Sequence, residues 1–327
     1  MRAIRQYGFG EPRDVLRFET DVVEPTPAED EVLVRVGAAG VDYGQWHLVA
    51  GVPLMVRAAV RVSEDRPRTV GLDFAGTVEA TGAAVTGFAP GDAVFGVAAS
   101  GAYADLTVAR VRKIARTPAS LSPTAAAVVP ISGSTALQAV RDVARVRAGQ
   151  RVLVFGAAGG VGSYAVQLAK HFGAHVTGVC RGASADFVRS LGADETIDFE
   201  TSETSLDGHQ WDAVIETGGV RTLRRARSLL TRHGVLVPVG GEAPGRPFFG
   251  IGRVLRATLW SPFVPQRLRM FIASTKADDL QTLADLLAQG AITAHVDRVF
   301  PLEQGAAAIE ALRAGGVRGK LAVHVAP

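Results

Sequence analysis

Residues 151–184 carry the groups best suited to holding a diphosphate-linked ligand. The apolar run Arg151-Val152-Leu153-Val154-Phe155 is followed by Gly156-Ala157-Ala158-Gly159-Gly160-Val161-Gly162 and then by an amphipathic helical pattern. A glycine-rich turn at such a place lets backbone N–H groups approach a pyrophosphate. The partial positive charge of a helix N-terminus favours the same anion. The spacing is A-x-G-x-x-G: Ala157 stands where the fingerprint usually begins with glycine, Gly159 permits close approach, and Gly162 lets the helix pack on the strand. Ala158, Gly160 and Val161 complete the loop. So short a pattern gains its weight from the strand before it, the helix after it and the next strand at the expected distance.

The choice of dinucleotide rests on one position. An acidic residue about 20 residues beyond the glycines would bind the ribose hydroxyls of NAD. Here Arg181 stands nineteen residues beyond Gly162, in Cys180-Arg181-Gly182-Ala183-Ser184. A guanidinium offers two parallel hydrogen bonds to a phosphate, Ser184 adds a hydroxyl, and NADPH is therefore expected over NADH. The alternative for Arg181 is a solvated loop charge. Glu216-Thr217-Gly218 and Val239-Gly240-Gly241 end two later strands and are expected to border the same crevice.

The elements that must position these groups follow from the patterning. Strands are expected at 151–155, 175–179, 211–216 and 235–239, alternating with helices at 161–172, 184–191 and 221–231. That alternation predicts a parallel sheet with helices on both faces. Before residue 118 the chain reads as β-rich, with strands at 31–36, 70–79 and 93–97 and a turn at Pro90-Gly91-Asp92. Pro123 is placed to open a helix. Near the C-terminus, a helix at 278–288 and a strand–helix–strand unit (295–300, 302–314, 320–325) either extend the sheet or return to the first domain.

Composition narrows the function classes. A chain of 327 residues suggests two domains, at roughly 150 residues each. Net charge is +3, and Arg is scattered rather than clustered, which argues against a nucleic-acid groove. A single cysteine, Cys180, makes no internal disulfide and excludes a zinc site built of several thiolates. The apolar stretches are too interrupted to span a bilayer, and a cytoplasmic protein is expected. His171 and His175 are four apart, but Gly173 breaks the helix between them, so they read as unrelated surface residues.

Several segments together resemble the medium-chain dehydrogenase/reductase superfamily. They are Met1–Gly10, Gly71-Leu72-Asp73-Phe74-Ala75-Gly76 through Gly82, Phe88-Ala89-Pro90-Gly91-Asp92, the loop at 157–162 and Leu191-Gly192-Ala193-Asp194. The resemblance is nearest to the zinc-independent quinone oxidoreductase branch, within its reticulon-interacting-protein-like group. It implies an α/β chain with a GroES-like β domain (1–121 plus 293–327) and an inserted Rossmann doubly wound parallel-sheet domain (122–292). Zinc-dependent relatives carry a Cys early and a Gly-His-Glu at the signature. Here Asp42 lies near the first position, Leu72-Asp73 replace His-Glu, and no metal is expected.

Without a Lewis acid, the implied chemistry is hydride transfer from NADPH to a quinone or an α,β-unsaturated carbonyl. The resemblance places Val41–His47 at the nicotinamide end, with Asp42 in place of a usual Asn. A carboxylate there would repel an enolate unless paired or protonated. Tyr43 and His47 are candidate proton donors, with ordinary packing or surface roles as the alternative. Thr135 is implied as a contact to the nicotinamide ribose or amide, and Arg318 and Lys320 as contacts near the nucleotide, Lys320 being otherwise a solvated strand charge. Trp46, Leu54, Phe263 and Met270 are expected to shape the substrate pocket. A homodimer is implied by resemblance alone. Two other readings stay open: an NADPH-binding sensor, structural or RNA-binding protein of the same fold, and a zinc alcohol dehydrogenase.

Overall fold

β-Branched and aromatic residues at alternating positions set the first unit. In β3 (Glu31–Val41), Val32, Val34 and Val36 point into the core and are fully buried. The strand runs beyond the expected Val36, and Ala38–Val41 is buried throughout. Small residues suffice there because the helix Pro123–Ala127 covers the second face. That helix is started by Pro123 and by Ser122, whose Oγ accepts from Ala125 N at 3.2 Å.

The structure is a computed structural model that describes residues 1–201, 203–218, 222–239, 264–269 and 271–325. Two compact units are formed, Met1–Ser134 with Ser274–Pro327, and Thr135–Ala273. These limits differ from the expected 121/122 and 292/293. The helices Pro123–Ala127 and Ala277–Ala288 pack on strands of the β-rich unit rather than on the nucleotide-type sheet. Packing, which sequence patterning does not report, decides their allegiance.

In the β-rich unit, β1 (Ala3–Gln6) lies between β2 (Leu16–Glu19) and β4 (Arg68–Thr69), both antiparallel to it. A larger sheet joins β3 to β5 (Asp73–Thr81), β6 (Ala93–Val97) and β8 (Ile114–Arg116), with β7 (Leu106–Arg110) also paired to β3. The C-terminal strand–helix–strand unit returns here, resolving the ambiguity left by patterning alone. Of its two strands, β15 (Val296–Pro301) pairs parallel to β16 (Lys320–His324), and β16 pairs antiparallel to β3. The core includes Phe74, Tyr103, Ile114, Leu302, Ile309 and Leu321. The helix expected from Leu302 begins with a 3-10 turn, Leu302–Gln304, and is α-helical over Gly305–Ala314.

The second unit holds a parallel sheet ordered β11-β10-β9-β12-β13-β14. The strands are β9 (Arg151–Phe155), β10 (His175–Cys180), β11 (Glu195–Asp198), β12 (Trp211–Glu216), β13 (Leu230–Pro238) and β14 (Arg267–Leu268). Every pairing is parallel. Strand order reverses between β9 and β12, which places the loops after these two strands at a topological switch point. Buried strands of this kind read as near-continuous apolar runs, and Val152–Val154 and Val214–Ile215 are completely covered.

Candidate functional site

The loop after β9 meets the geometric demands of a phosphate cradle. Gly156 takes a left-handed φ of +70°, and a Cβ on it would stand 2.4 Å from Thr217 Oγ1. A Cβ at Gly162 would stand 2.0 Å from the carbonyl oxygen of Gly156, so strand end and helix touch through backbone alone. The helix Gly160–His171 follows, capped by Gly159, and its first N–H groups have no intrahelical partner. The tight-turn glycine is therefore Gly156, one residue before the fingerprint position that Ala157 fills. Ala157 is buried and faces the sheet, its Cβ lying 3.1 Å from where one would stand on Gly178 of β10. The signal that would have found Gly156 is its place directly after the last strand residue.

Glu216, Thr217, Gly218, Val239, Arg181 and Ser184 lie at or just beyond strand ends of this same unit. Thr217 Oγ1 donates to Phe155 O at 2.7 Å, joining the two switch-point strands, and Val239 N donates to Glu216 O at 2.9 Å. Glu216 is buried at the end of β12, and Thr217 and Gly218 are half-buried beyond it. Arg181 and Ser184 follow β10; Ser184 N donates to Arg181 O at 2.8 Å, which folds the segment into a turn. The Arg181 guanidinium is exposed and pairs with Glu200 at 3.3 Å. Cys180 is buried and its thiol is pushed up by burial and then by Asp198, so it is no poised nucleophile. Thr135 is buried on the helix Pro130–Leu137. Gly240, Gly241, Phe263 and Met270 lie outside the described residues.

The β-rich unit holds a buried charge cluster that was not foreseen. The register Leu321↔Val41 sets Lys320 and Asp42 opposite each other, one step beyond the paired residues. Lys320 Nζ donates to Asp42 Oδ1 and, at 3.0 Å, to Ser132 Oγ. Ser132 Oγ in turn lies 3.3 Å from Asp42 Oδ1. Lys320 is 3% exposed and Asp42 5%. Lys320 is therefore no solvated strand charge: two of its three ammonium donors are turned to Asp42 and Ser132. Asp42 is paired, the condition under which it would not repel an enolate.

Asp73 completes the cluster from the start of β5. It is fully buried, and both its oxygens accept from Ile131 N, at 3.2 and 3.1 Å. Burial first, and then the Asp42 carboxylate, push Asp73 well above the usual carboxylate range, against the opposing pull of Lys320 and Ile131. Asp42 Oδ2 is buried without a donor in the hydrogen-bond geometry, and a proton on Asp73 supplies one. Lys320⁺, Asp42⁻ and neutral Asp73 then sum to zero charge. Tyr103 closes the floor: its hydroxyl donates to Gly40 O at 3.3 Å, and burial, then Asp42 and Asp73, raise its pKa well above the ordinary value. Gly40 admits this packing, since a Cβ there would lie 2.5 Å from Ala127 O and 3.0 Å from Asp73 Cβ.

This donor set does not fit a zinc ion. Leu72 has no ligand atom, one oxygen of Asp42 is held by an ammonium, and burial pushes the Asp73 carboxyl well above the usual range, toward its neutral form. Among the described residues no group of three or more His, Cys, Asp or Glu is arranged to hold a metal.

Of the other expected pocket residues, Tyr43, Trp46 and His47 share the helix Tyr43–Ala50. Tyr43 is 37% exposed and its hydroxyl donates to Leu312 O at 3.4 Å, turning its proton toward backbone. His47 Nδ1 faces Val52 O at 3.0 Å and must donate, leaving only Nε2 for other chemistry. Trp46 is half-buried beneath the Arg313 guanidinium, 4.8 Å from its ring centre. Leu54 is 66% exposed beside the short helix Met55–Ala59 and lines no pocket described for this unit. Arg318 is exposed.

Comparison with known proteins shows the family. Residues 28–119 match the alcohol dehydrogenase GroES-like domain and residues 191–323 the zinc-binding dehydrogenase family. A chloroplastic quinone-oxidoreductase homolog of Spinacia oleracea is 30% identical, covering 99% of this chain and 98% of its own length. The chain belongs to the medium-chain dehydrogenase/reductase superfamily, in its quinone oxidoreductase branch. A mitochondrial NAD(P)H oxidoreductase of Mus musculus, RTN4IP1, is likewise 30% identical, over 98% of this chain and 88% of its own. Among solved structures, the quinone oxidoreductase of Coxiella burnetii superposes with a TM-score of 0.86 at 28% identity, covering 100% of this chain and 99% of that one. The protein is thus an oxidoreductase of the nicotinamide-dependent kind, and among its described residues no helix is long and apolar enough to cross a membrane.

Asp73→Asn tests the protonation assignment. Asn can accept from Ile131 N and donate to Asp42 without binding a proton. In the wild type the folded pKa of Asp73 lies above its unfolded value, near 3.8. The stability held by that site is full below this value and is lost as pH rises toward the folded pKa. Urea unfolding should therefore show the variant gaining on the wild type by about 1.4 kcal/mol per pH unit through that window. A difference independent of pH would contradict the assignment.

Proposed function

We propose that the protein transfers a hydride from NADPH to a quinone or an α,β-unsaturated carbonyl, without a metal. The observation that carries this reading is the Lys320–Asp42–Asp73 cluster at the place where zinc-dependent relatives hold their ligands. With that place filled by a charge-balanced hydrogen-bonded group, no Lewis acid is available to activate an alcohol. Conjugated acceptors need none, because their carbon or oxygen termini take up a hydride directly. When bound, the reduced nicotinamide supplies the hydride and is left oxidised, while the acceptor gains the hydride and one proton.

The chain's own residues would hold and orient the reactants. Gly156, Gly159 and Gly162 let the loop after β9 lie against the pyrophosphate, at the positive end of the helix Gly160–His171. Arg181 would take the 2′-phosphate, exchanging Glu200 for a stronger anion. Exposed pairs of the Arg181–Glu200 type contribute little, so the exchange costs little. Thr135 would contact the nicotinamide ribose or amide. For the proton, Tyr43 and His47 are the candidates; His47 could serve only as imidazolium, since its Nδ1 proton is turned to Val52 O.

Purified protein mixed with NADPH and a panel of quinones and 2-enones is expected to oxidise the cofactor above the no-enzyme control. Tight NADPH binding with no turnover on any acceptor would instead favour a sensor of the same fold. Separately, Arg181→Ala should weaken NADPH by about 1–3 kcal/mol, roughly tenfold or more, and leave NADH nearly unchanged, as measured by titration calorimetry. Equal weakening of both cofactors would remove Arg181 from the phosphate site.

A further inference from the structure

A pocket of about 340 Å³ in the β-rich unit is lined by two guanidiniums and no carboxylate. Arg5 comes from β1 and Arg68 from β4; Leu72, Ala98 and Ser100 form other walls. Among the described residues neither arginine has an ion-pair partner. Arg5 donates through Nη2 to Pro67 O at 2.7 Å, and its Nε is buried with no partner. Arg68 donates through Nε to Gln6 Oε1 at 2.9 Å, and burial alone lowers its pKa, with no acid to offset the loss of water. Gln45 is 1% exposed and also lines the pocket. Its Oε1 accepts from Gly71 N at 2.8 Å, which fixes the amide orientation and leaves Nε2 as a buried donor without a partner.

Buried donors left unsatisfied cost about 1–3 kcal/mol each, more when charged. Two such donors, beside two cations without a counter-charge, are the complement of an anion. We propose that this pocket is a subsite for a carboxylate or phosphate group carried by the hydride acceptor. Arg5 and Arg68 supply the charge and Gln45 Nε2 a neutral hydrogen bond. Arg5 Nε and Gln45 Nε2 are closed to solvent in this structure, so they meet the anion only after the two side chains turn toward it. Assigning the anion to the acceptor rests on the hydride-transfer reading above. It follows from Leu72, which stands at the metal-ligand position of the Gly-His-Glu motif and is part of the pocket wall.

The test uses the full chain and four probes: a naphthoquinone with a carboxypropyl side chain, its methyl ester, its phosphate-ended analogue and inorganic phosphate. The wild type should favour the acid or the phosphate over the ester by about tenfold or more in kcat/KM, the discrimination expected of one charged hydrogen bond. The better of the two anions identifies the natural group. In Arg5→Met and in Arg68→Met that ratio should fall toward one; either variant suffices should the other fail to fold. An acid-to-ester ratio near one in the wild type, or a ratio unchanged in the folded variants, overturns the subsite. Should neither these quinones nor the 2-enone panel be reduced, the hydride-transfer reading fails and calorimetry decides the subsite by itself. Binding of the acid or phosphate-ended probe that is lost in Arg5→Met supports it, and no binding to the wild type overturns it. Inorganic phosphate that binds as tightly as the phosphate-ended quinone assigns the pocket to the free ion and overturns the acceptor assignment.

Discussion

An ammonium and two carboxylates buried together can persist only if their charges cancel, and this constraint organises the β-rich unit. Removing one partner from a buried pair leaves a charge whose desolvation costs about 3–5 kcal/mol. Lys320 opens β16 and Asp42 directly follows β3, so the pair supports the register that joins the C-terminal strand to the main sheet. Asp73 opens β5, and its contact with Ile131 N ties the helix Pro130–Leu137 to the same point. Three strands and a helix thus converge on one neutral cluster. Two carboxylates share a single cation there, and burial, then the neighbouring Asp42, pushes the Asp73 carboxyl well above its usual range.

The cluster also bears on the chemistry. On the proposed metal-free reading this place offers no Lewis acid, and the acceptor must itself be electrophilic. Binding elements, in contrast, are left open elsewhere. The first N–H groups of the helix Gly160–His171 have no intrahelical partner, and Arg5 Nε and Gln45 Nε2 await one. The second unit brings its open donors to the switch point of a parallel sheet, where the strand order β10-β9-β12 reverses. Satisfied polar groups at one place and unsatisfied ones at others separate structure from recognition.

How far the sequence disclosed this depends on the range of the interaction concerned. The alternation of Arg151–Phe155, a glycine turn and an amphipathic helix is local, and its elements appear within a residue or two of their expected bounds. The turn glycine was displaced by one position because a fingerprint fixes spacing, whereas the φ of Gly156 follows from the end of the strand. Asp42 and Lys320 are separated by most of the chain, and no periodicity can report that they touch. Both were singled out, one as a puzzling acid and the other as a nucleotide contact, and only the β3–β16 register unites them. Asp73 was noted for what it replaced, not for its proton.

The protonation state of Asp73 is the point on which the cluster stands or falls. Infrared difference spectra of the wild type against Asp73→Asn at pH 7, in H2O and D2O, observe it directly. The account predicts a carbonyl stretch of a protonated carboxylic acid, shifted on deuteration and missing from the variant. A carboxylate band at Asp73 that titrates in the ordinary acid range would contradict it.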